Sequence, residues 1–284
     1  MKKSILEVED LYYVYGNGKS ALEGVSVSVY EGEKIAVLGS NGSGKSTFFL
    51  NINGVFTAEQ GKIIYRDTVI NKKNLKELRK NIGIVFQDAD NQIIASTVMA
   101  EVGFGPMNLK LPKEEVQRRV DEALAYMNIS DFKDRPPHYL SGGEKKRVTI
   151  ADIIAMKSEI IIFDEPMAAL DPLNALMLEE VLDKLSSEGK TMLISTHDVD
   201  FAYRWAERIL VFYQGQIIAD GTPLEIFQDR SILKRANLKQ PTMLEVYEML
   251  VEKNVLEDTK VYPKSTEELE KVLEKQEISL GDLA

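Results

Sequence analysis

The feature that most constrains this chain is a glycine-rich stretch, Gly39-Ser40-Asn41-Gly42-Ser43-Gly44-Lys45-Ser46, which fits the phosphate-binding loop pattern G-x-x-x-x-G-K-[ST]. It follows an apolar run, 34–38, that is typical of a strand, and leads into Thr47 at the start of a predicted helix. Glycines let backbone N–H groups approach phosphate oxygens, and the helix start adds its positive dipole end. The stretch therefore predicts a nucleoside triphosphate site, in which Lys45 reaches the β- and γ-phosphates and the Ser46 hydroxyl binds Mg²⁺.

Composition limits the partners of such a chain. Lys and Arg number 35 against 45 Asp and Glu, a formal net charge of −10, which disfavours nucleic acid as a partner because phosphate contacts need clustered cations. The absence of Cys suits a reducing cytoplasm. The first residues turn acidic too early for a signal peptide, and no apolar stretch is long enough to span a bilayer. A membrane role is therefore expected to run through a partner, without direct insertion.

Hydrophobic periodicity predicts an α/β domain with a helical insert. Residues 4–9 and 25–30 are typical of an antiparallel layer. Further strands are predicted at 63–65, 82–86, 160–164, 191–195, 209–212 and 216–219. From 88 to about 140 the period becomes helical, with a helix over 114–127 and an interruption at Pro106.

The last part of the chain predicts a small helical appendage, with helices over 243–251 and 266–276. We therefore expect a nucleotide-binding domain and a C-terminal extension. Their predicted bounds are 4–230 for the domain, with a helical subdomain formed by 88–140 and the helix 141–156, and 231–284 for the extension.

Two carboxylates follow the most apolar strand candidate. Residues 160–163 are continuously apolar, as in a strand buried on both faces, and lead into Asp164 and Glu165. Open α/β sheets bind ligands at the carboxyl ends of such strands. Asp164 is expected to hold Mg²⁺, directly or through water, and Glu165 to polarise an attacking water. The alternative, two surface acids at a strand end, is disfavoured by the phosphate-binding loop upstream.

Aromatic and histidine side chains offer further contacts. Tyr15 is a candidate to stack on a purine ring, whereas Tyr12 and Tyr13 are expected to pack the sheet. His197 follows a predicted strand, so a hydrogen bond from its ring to the γ-phosphate or to the attacking water is geometrically reasonable. The other histidine, His138, lies between prolines and a tyrosine in a predicted loop and is interpreted as structural.

A second glycine-rich helix start, Ser141-Gly142-Gly143-Glu144, follows the insert. Ser141 predicts an N-cap, and Glu144 three residues later completes a capping box. From these residues alone two interpretations stay open: a simple helix start, or a second anion site at a helix N-terminus.

In this order the motifs resemble the nucleotide-binding subunit of ATP-binding cassette (ABC) proteins. The resemblance covers roughly residues 4–230 and is carried by the phosphate-binding loop, Gln87, Leu140–Glu144, Asp164-Glu165, Ala169-Leu170-Asp171 and His197. It implies an ATP hydrolase with an α/β P-loop NTPase fold: a mixed core sheet, an antiparallel β layer, a helical subdomain and a small helical C-terminal extension.

The resemblance also implies roles. Gln87 would contact Mg²⁺ and sense the transport partner, Asp164 would be the Mg²⁺-linked acid, and Glu165 the catalytic base. His197 would be the switch histidine, and Tyr15 the aromatic that stacks on adenine.

A head-to-tail dimer is implied as well. Two copies would sandwich two ATP molecules, so that Ser141, Gly142 and Gly143 of one copy close on the γ-phosphate bound by Lys45 of the other. Asp171 would belong to the loop that links the two subunits. Both a homodimer and a paralogous heterodimer are compatible with these residues.

A narrower resemblance points to the ATPases of energy-coupling-factor importers, and most of all to the cobalt-importer (CbiO) type. It is carried by residues 86–92, 104–109 and 195–203. Such subunits pair with an integral membrane coupling protein and a substrate-capture protein, which implies a peripheral position on the cytoplasmic face of the cell membrane. Cobalt is the first expected substrate, with nickel or a vitamin as alternatives, and the C-terminal extension would help dimerisation.

The chain departs from the family pattern at Glu144, where Gln is usual, at Met167 for Thr and at Ala169 for Gly.

Two other functions have less support. A soluble ABC ATPase of DNA repair would split the cassette with a coiled coil, and one of translation would carry two cassettes. A degenerate dimer scaffold would need a broken motif residue, and Lys45 and Glu165 are intact.

Overall fold

The computed structural model describes residues 3–168 and 170–281, with side chains described up to Lys275. Within these residues ten strands form two sheets: β1 (Ser4–Val14), β2 (Ser20–Tyr30), β3 (Lys34–Leu38), β4 (Gln60–Tyr65), β5 (Thr68–Val69), β6 (Ile82–Val85), β7 (Ile160–Asp164), β8 (Thr191–Ser195), β9 (Arg208–Tyr213) and β10 (Gln216–Gly221). The α-helices of the same segments are α1 (Lys45–Ile52), α2 (Leu75–Asn81), α3 (Val98–Asn108), α4 (Lys113–Tyr126), α5 (Gly142–Met156), α6 (Pro172–Ser187), α7 (Val199–Trp205), α8 (Pro223–Gln228), α9 (Arg230–Ala236), α10 (Thr242–Glu252) and α11 (Thr266–Gly281).

The larger sheet has the strand order β10-β9-β3-β8-β7-β6. Strands β9, β3, β8, β7 and β6 run parallel, and β10 pairs antiparallel with β9. This confirms the predicted mixed core sheet and its terminal hairpin. Because β3, β8, β7 and β6 are consecutive neighbours, the loops that follow their carboxyl ends meet at one edge of the sheet.

The smaller sheet is antiparallel throughout, in the order β2-β1-β4-β5. Strands β1, β2 and β4 are longer than predicted, and β5 was not predicted. Strand β1 includes Tyr12 and Tyr13, which the sequence suggested lay between strands. Neighbouring strand residues face opposite sides. Tyr13 therefore packs inward against Phe56, as expected, whereas Tyr12 lies over Gly24 on the outer face and is 40% exposed.

Burial on both faces explains why β7 is continuously apolar. Ile160 and Ile162 contribute to a core between the two sheets, together with Phe48 of α1. Ile161 and Phe163 contribute to a second core on the opposite face, which also takes side chains from α3 to α7. Full burial of each such side chain stabilises the fold by roughly 1.5–3 kcal/mol.

The helical insert contains α3, α4 and the following α5, which pack on one another. The predicted interruption at Pro106 is wrong, because α3 continues through it to Asn108. A proline so near the helix end removes one backbone hydrogen bond, and packing of α3 outweighs that loss. The packing is close: a Cβ added at Gly105 would lie 2.5 Å from Cγ of Met156 on α5.

The two predicted C-terminal helices correspond to α10 and α11, which contribute to a small cluster of Tyr247, Leu256 and Val272. The domain bounds and the role of this extension in dimerisation stay predictions. In the described segments, no helix has both the length and the apolar composition needed to cross a bilayer.

Candidate active site

The glycine-rich stretch forms the turn between β3 and α1. Gly39 has φ +145°, and a Cβ there would lie 2.3 Å from the carbonyl oxygen of Phe212, so no other residue fits. Gly44, the N-cap of α1, has φ +113° and gives the first turn no side-chain hydrogen bond. The turn therefore offers an anion the N–H groups and the positive dipole end of α1.

An open cleft of about 410 Å³ lies at this turn, within the range of known ligand sites. Its lining residues are Tyr15, Lys19, Ser20, Ala21, 41–47, Gln87 and Glu165. The Ser43 hydroxyl is buried and has no hydrogen-bond partner among the described residues. A buried hydroxyl of this kind needs a partner, and a phosphate oxygen in the cleft would supply one.

Lys45 is buried beneath the cleft. Its Nζ donates to the carbonyl oxygens of Gly39, at 2.7 Å, and Ser40, at 3.3 Å. Burial lowers the pKa of Lys45, and the carboxylates of Glu165 and Asp164 oppose that shift. Lys45 and the carboxylates of Glu165 and Asp164 are therefore close enough to interact electrostatically.

Three predicted residues converge at the mouth of the cleft. Glu165 Oε1 lies 2.8 Å from His197 Nε2, and Gln87 Nε2 donates to Glu165 Oε2 at 3.3 Å. Gln87, Glu165 and His197 each follow the carboxyl end of one of the adjacent strands β6, β7 and β8. The sheet order therefore brings together side chains that are far apart in sequence.

Tyr15 lies beside the phosphate-binding turn, and its hydroxyl group and Thr47 Oγ1 are hydrogen-bonded at 2.7 Å. Its ring makes edge contacts with Tyr13 and Phe56, at centroid distances of 5.3 and 6.0 Å. These contacts fix the orientation of the one aromatic ring among the cleft-lining residues.

The second helix start has the predicted capping box. The Ser141 N–H donates to Glu144 Oε2 at 2.7 Å, and the Glu144 N–H donates to Ser141 Oγ at 3.3 Å. The Ser141 N–H lowers the pKa of Glu144, so this carboxylate stays ionised at the N-terminus of α5. In the described part of the chain, neither Ser141 nor Gly142 nor Gly143 lines the cleft.

Asp171 also lies outside the cleft lining among the described residues. It caps α6 and accepts a hydrogen bond from Asn174 Nδ2 at 2.7 Å, and the Asn174 side chain lies next to Gly143. Of the three departures from the family pattern, Met167 packs against the core and Ala169 lies outside the described residues.

Two side chains near the site were not singled out from the sequence. Ser195 forms hydrogen bonds with Asp164 and with Glu165. A polar residue at the end of an otherwise apolar strand is the sequence signal by which Ser195 could have been found. Lys146 of α5 donates to the carbonyl oxygens of Phe86, at 2.8 Å, and Gln87, at 2.6 Å. Burial lowers the pKa of Lys146 to about 8. Nothing in the sequence distinguishes Lys146 from its cationic neighbours.

The donor set near the cleft fits a magnesium ion. Ser46, Gln87 and Asp164 offer a hydroxyl, an amide and a carboxylate, which are the oxygen ligands that Mg²⁺ prefers. Among the described residues, no group of three or more His, Cys, Asp or Glu side chains could hold a metal by itself. Mg²⁺ is usually bound by one or two carboxylates together with substrate phosphates.

The fold and this cleft define a P-loop nucleoside triphosphatase. The ABC transporter family matches residues 22–168. The energy-coupling factor transporter ATP-binding protein EcfA of Methanocaldococcus jannaschii is 46% identical over 252 residues, which cover 88% of this chain and 90% of that protein. Its counterpart in Carboxydothermus hydrogenoformans is 44% identical over 243 residues, 86% of this chain and 90% of that one.

Solved structures agree with these relatives. Clostridium perfringens cbiO1, described as part of the ABC transporter complex cbiONQ, is 40% identical with a TM-score of 0.73 and covers 87% of this chain and 100% of its own. A dimeric ATP-binding cassette bound to ADP and Pi is 29% identical with a TM-score of 0.70, over 77% of this chain and 99% of its own. The chain belongs to the ABC transporter ATP-binding proteins of the energy-coupling-factor type. It is an ATPase subunit, in which ATP hydrolysis is coupled to transport.

Proposed function

We propose that ATP lies in this cleft with its phosphates on the Gly39–Ser46 turn and its adenine on Tyr15. The observation that carries the proposal is the Glu165 carboxylate, which lies between His197 and Gln87 at the mouth of the cleft. A carboxylate that is held by two polar groups beside a phosphate-binding turn is suited to orient and deprotonate a water.

The other residues take complementary roles in this proposal. Lys45 leaves the loop carbonyls and neutralises the β- and γ-phosphates. Ser46, Gln87 and Asp164 would hold Mg²⁺, which would screen the phosphate charge when bound. His197 holds Glu165 in place and donates toward the γ-phosphate as hydrolysis proceeds. Each of these tasks uses a side chain that already lies at the cleft or contacts one that does.

A second copy, or a close paralogue, would complete the site. Ser141, Gly142 and Gly143 lie at a helix N-terminus, which suits an anion, but in the described residues they do not line this chain's own cleft. A head-to-tail dimer would bring them to the γ-phosphate held by the partner, with Asp171 beside the same helix start. We expect the C-terminal extension to add contacts between the two copies.

Glu165→Gln tests this assignment. It keeps the size of the side chain but removes the base, so ATP hydrolysis should fall about 100-fold or more. ATP should then hold the variant as a dimer, which light scattering after size-exclusion chromatography would detect. Glu159→Gln is the matched control, because Glu159 precedes β7 at its opposite end and pairs with Arg66. Normal hydrolysis by Glu165→Gln would refute the role of Glu165.

The transported substrate is the finer part of the proposal. We favour cobalt, on the resemblance to cobalt-importer ATPases and on the likeness to cbiO1, with nickel or a vitamin as alternatives. The chain would act at the cytoplasmic face of the membrane, on a coupling protein and a substrate-capture protein. Purification of the intact complex, followed by uptake of cobalt, nickel and vitamins into vesicles, would decide between them. The alternative of a soluble ATPase in DNA repair or translation is wrong, since the chain is a transporter subunit.

A further inference from the structure

Ser195 occupies a position between the two acids of the site. It ends β8, directly across from Asp164 on the neighbouring strand β7. Its side chain is completely buried, with an exposed fraction of 0%. Such a hydroxyl must find partners within the protein, because water cannot reach it.

This hydroxyl acts both as a hydrogen-bond donor and as a hydrogen-bond acceptor at the site. Ser195 Oγ donates to Asp164 Oδ1 at 2.5 Å and accepts from the Glu165 N–H at 2.9 Å. An ionised carboxylate can accept but not donate, so the single hydroxyl proton is committed to Asp164. One side chain therefore connects the Asp164 carboxylate with the Glu165 backbone.

We infer that Ser195 is a positioning residue that fixes Asp164 and Glu165 relative to each other. The inference rests on the proposed roles of Asp164 as the Mg²⁺-linked acid and of Glu165 as the base. Because the aspartate side chain is short, a hydrogen bond at Oδ1 of Asp164 also fixes the direction of its other oxygen, Oδ2. A hydrogen bond to the Glu165 backbone N–H fixes the position from which the Glu165 side chain extends.

The backbone of Glu165 needs such support. Its φ is +46°, a left-handed conformation that costs a non-glycine residue about 1 kcal/mol or more. The Ser195 carbonyl oxygen also accepts from the Glu165 N–H, at 3.2 Å, so two atoms of Ser195 hold this strained turn. The side-chain partners of Glu165, His197 and Gln87, are exposed and provide a less rigid anchor.

The same strand supplies a matched control. Thr191, at the other end of β8, has a buried hydroxyl that accepts from the Gly32 N–H at 3.0 Å. Thr191→Val removes a buried hydrogen bond from the same strand, away from the cleft. A purely structural effect of losing a hydroxyl should therefore look the same in Thr191→Val and Ser195→Ala.

The test measures how ATP and Mg²⁺ raise the melting temperature of the full chain. With ATP and EDTA, Ser195→Ala should show the same rise as the parent. Adding Mg²⁺ to the ATP-bound protein should raise the melting temperature further. The Mg²⁺ concentration that gives half of this further rise should be about tenfold higher in Ser195→Ala than in the parent, a factor that corresponds to about 1.4 kcal/mol. Its kcat should fall about tenfold or more while KM for ATP changes little, because the lost interactions position groups for hydrolysis.

Two further variants sharpen the result. Ser195→Thr keeps the hydroxyl and should recover most of the Mg²⁺ response. In the nucleotide-free protein, hydrogen exchange at the Glu165 amide should be faster in Ser195→Ala than in the parent. Should Ser195→Ala fail to fold, Ser195→Cys replaces it, since a thiol is a weaker donor of similar size.

Asp164→Asn, measured in parallel, separates this inference from the proposed function. A normal Mg²⁺ requirement in Asp164→Asn would overturn the role of Asp164 itself. If Asp164→Asn raises the Mg²⁺ requirement but Ser195→Ala behaves like Thr191→Val, Ser195 has no positioning role, while the proposed function stands.

Discussion

Replacing Asp152 with Asn should stabilise the protein more at pH 8 than at pH 5. Asp152 lies on α5, where it faces Glu101 of α3, and its Oδ1 has no hydrogen-bond partner among the described residues. Burial, and then the charge of Glu101, raise the pKa of Asp152 from 3.8 to about 7. The fold therefore disfavours the ionised form of this carboxyl group.

The magnitude follows from proton linkage. Between pH 4 and pH 7 the folded state holds a proton that the unfolded chain releases, so stability falls as pH rises through this window. A pKa of 3.8 that becomes about 7 implies that the advantage of Asn grows by about 3 kcal/mol between pH 5 and pH 8. Because the Asp152 side chain is partly exposed, solvent screening reduces this to about 1–3 kcal/mol.

Urea unfolding at both pH values provides the assay. The single tryptophan, Trp205, is buried and reports unfolding by its fluorescence. Asp183→Asn, on the exposed face of α6, is the matched control and should change the free energy of unfolding by less than about 0.5 kcal/mol at either pH. An Asp152→Asn effect that is equal at pH 5 and pH 8 would refute the reasoning.

Two further predictions concern the cleft and the N-terminus of α5. Tyr15→Ala should weaken ATP binding about tenfold or more by removing the stacking ring, whereas Tyr15→Phe loses the Thr47 contact and should weaken it much less. Titration calorimetry with ATP and with inorganic triphosphate would measure this. Glu144→Gln keeps the capping box but removes a negative charge from the proposed γ-phosphate contact, so the ATP-bound dimer should be up to about fivefold tighter at low salt.

Each of these predictions has a contrasting measurement. Triphosphate affinity should be the same in Tyr15→Ala and the parent, and an equal loss for both ligands would contradict stacking. Glu225→Gln alters the same kind of capping box in α8 and should leave dimerisation unchanged. A dimer gain in Glu144→Gln that persists at high salt would not be electrostatic.

Local sequence determined the parts of this protein that depend on backbone geometry. Gly39 and Gly44 must be glycines because of their left-handed backbone and close contacts, so the phosphate-binding turn could be predicted from its pattern. The capping box of Ser141 and Glu144 involves residues three apart on one turn, and it too was predictable. The apolar run of β7, followed by Asp164, indicated both burial and the position of the acids.

Tertiary structure decided which of these pieces meet. Gln87, Glu165 and His197 belong to one site because β6, β7 and β8 are neighbours, an order that no local pattern specifies. Lys146 gains its two carbonyl partners because α5 packs against the end of β6.

Pro106 and Ser195 illustrate the same difference between local sequence preference and tertiary contacts. Pro106 stays in its helix because packing of α3 outweighs a local preference. The Ser195 hydroxyl connects the two acids because β8 lies beside β7. Short-range pattern specifies backbone conformation and burial, whereas contacts between distant residues depend on how sheets and helices share a core.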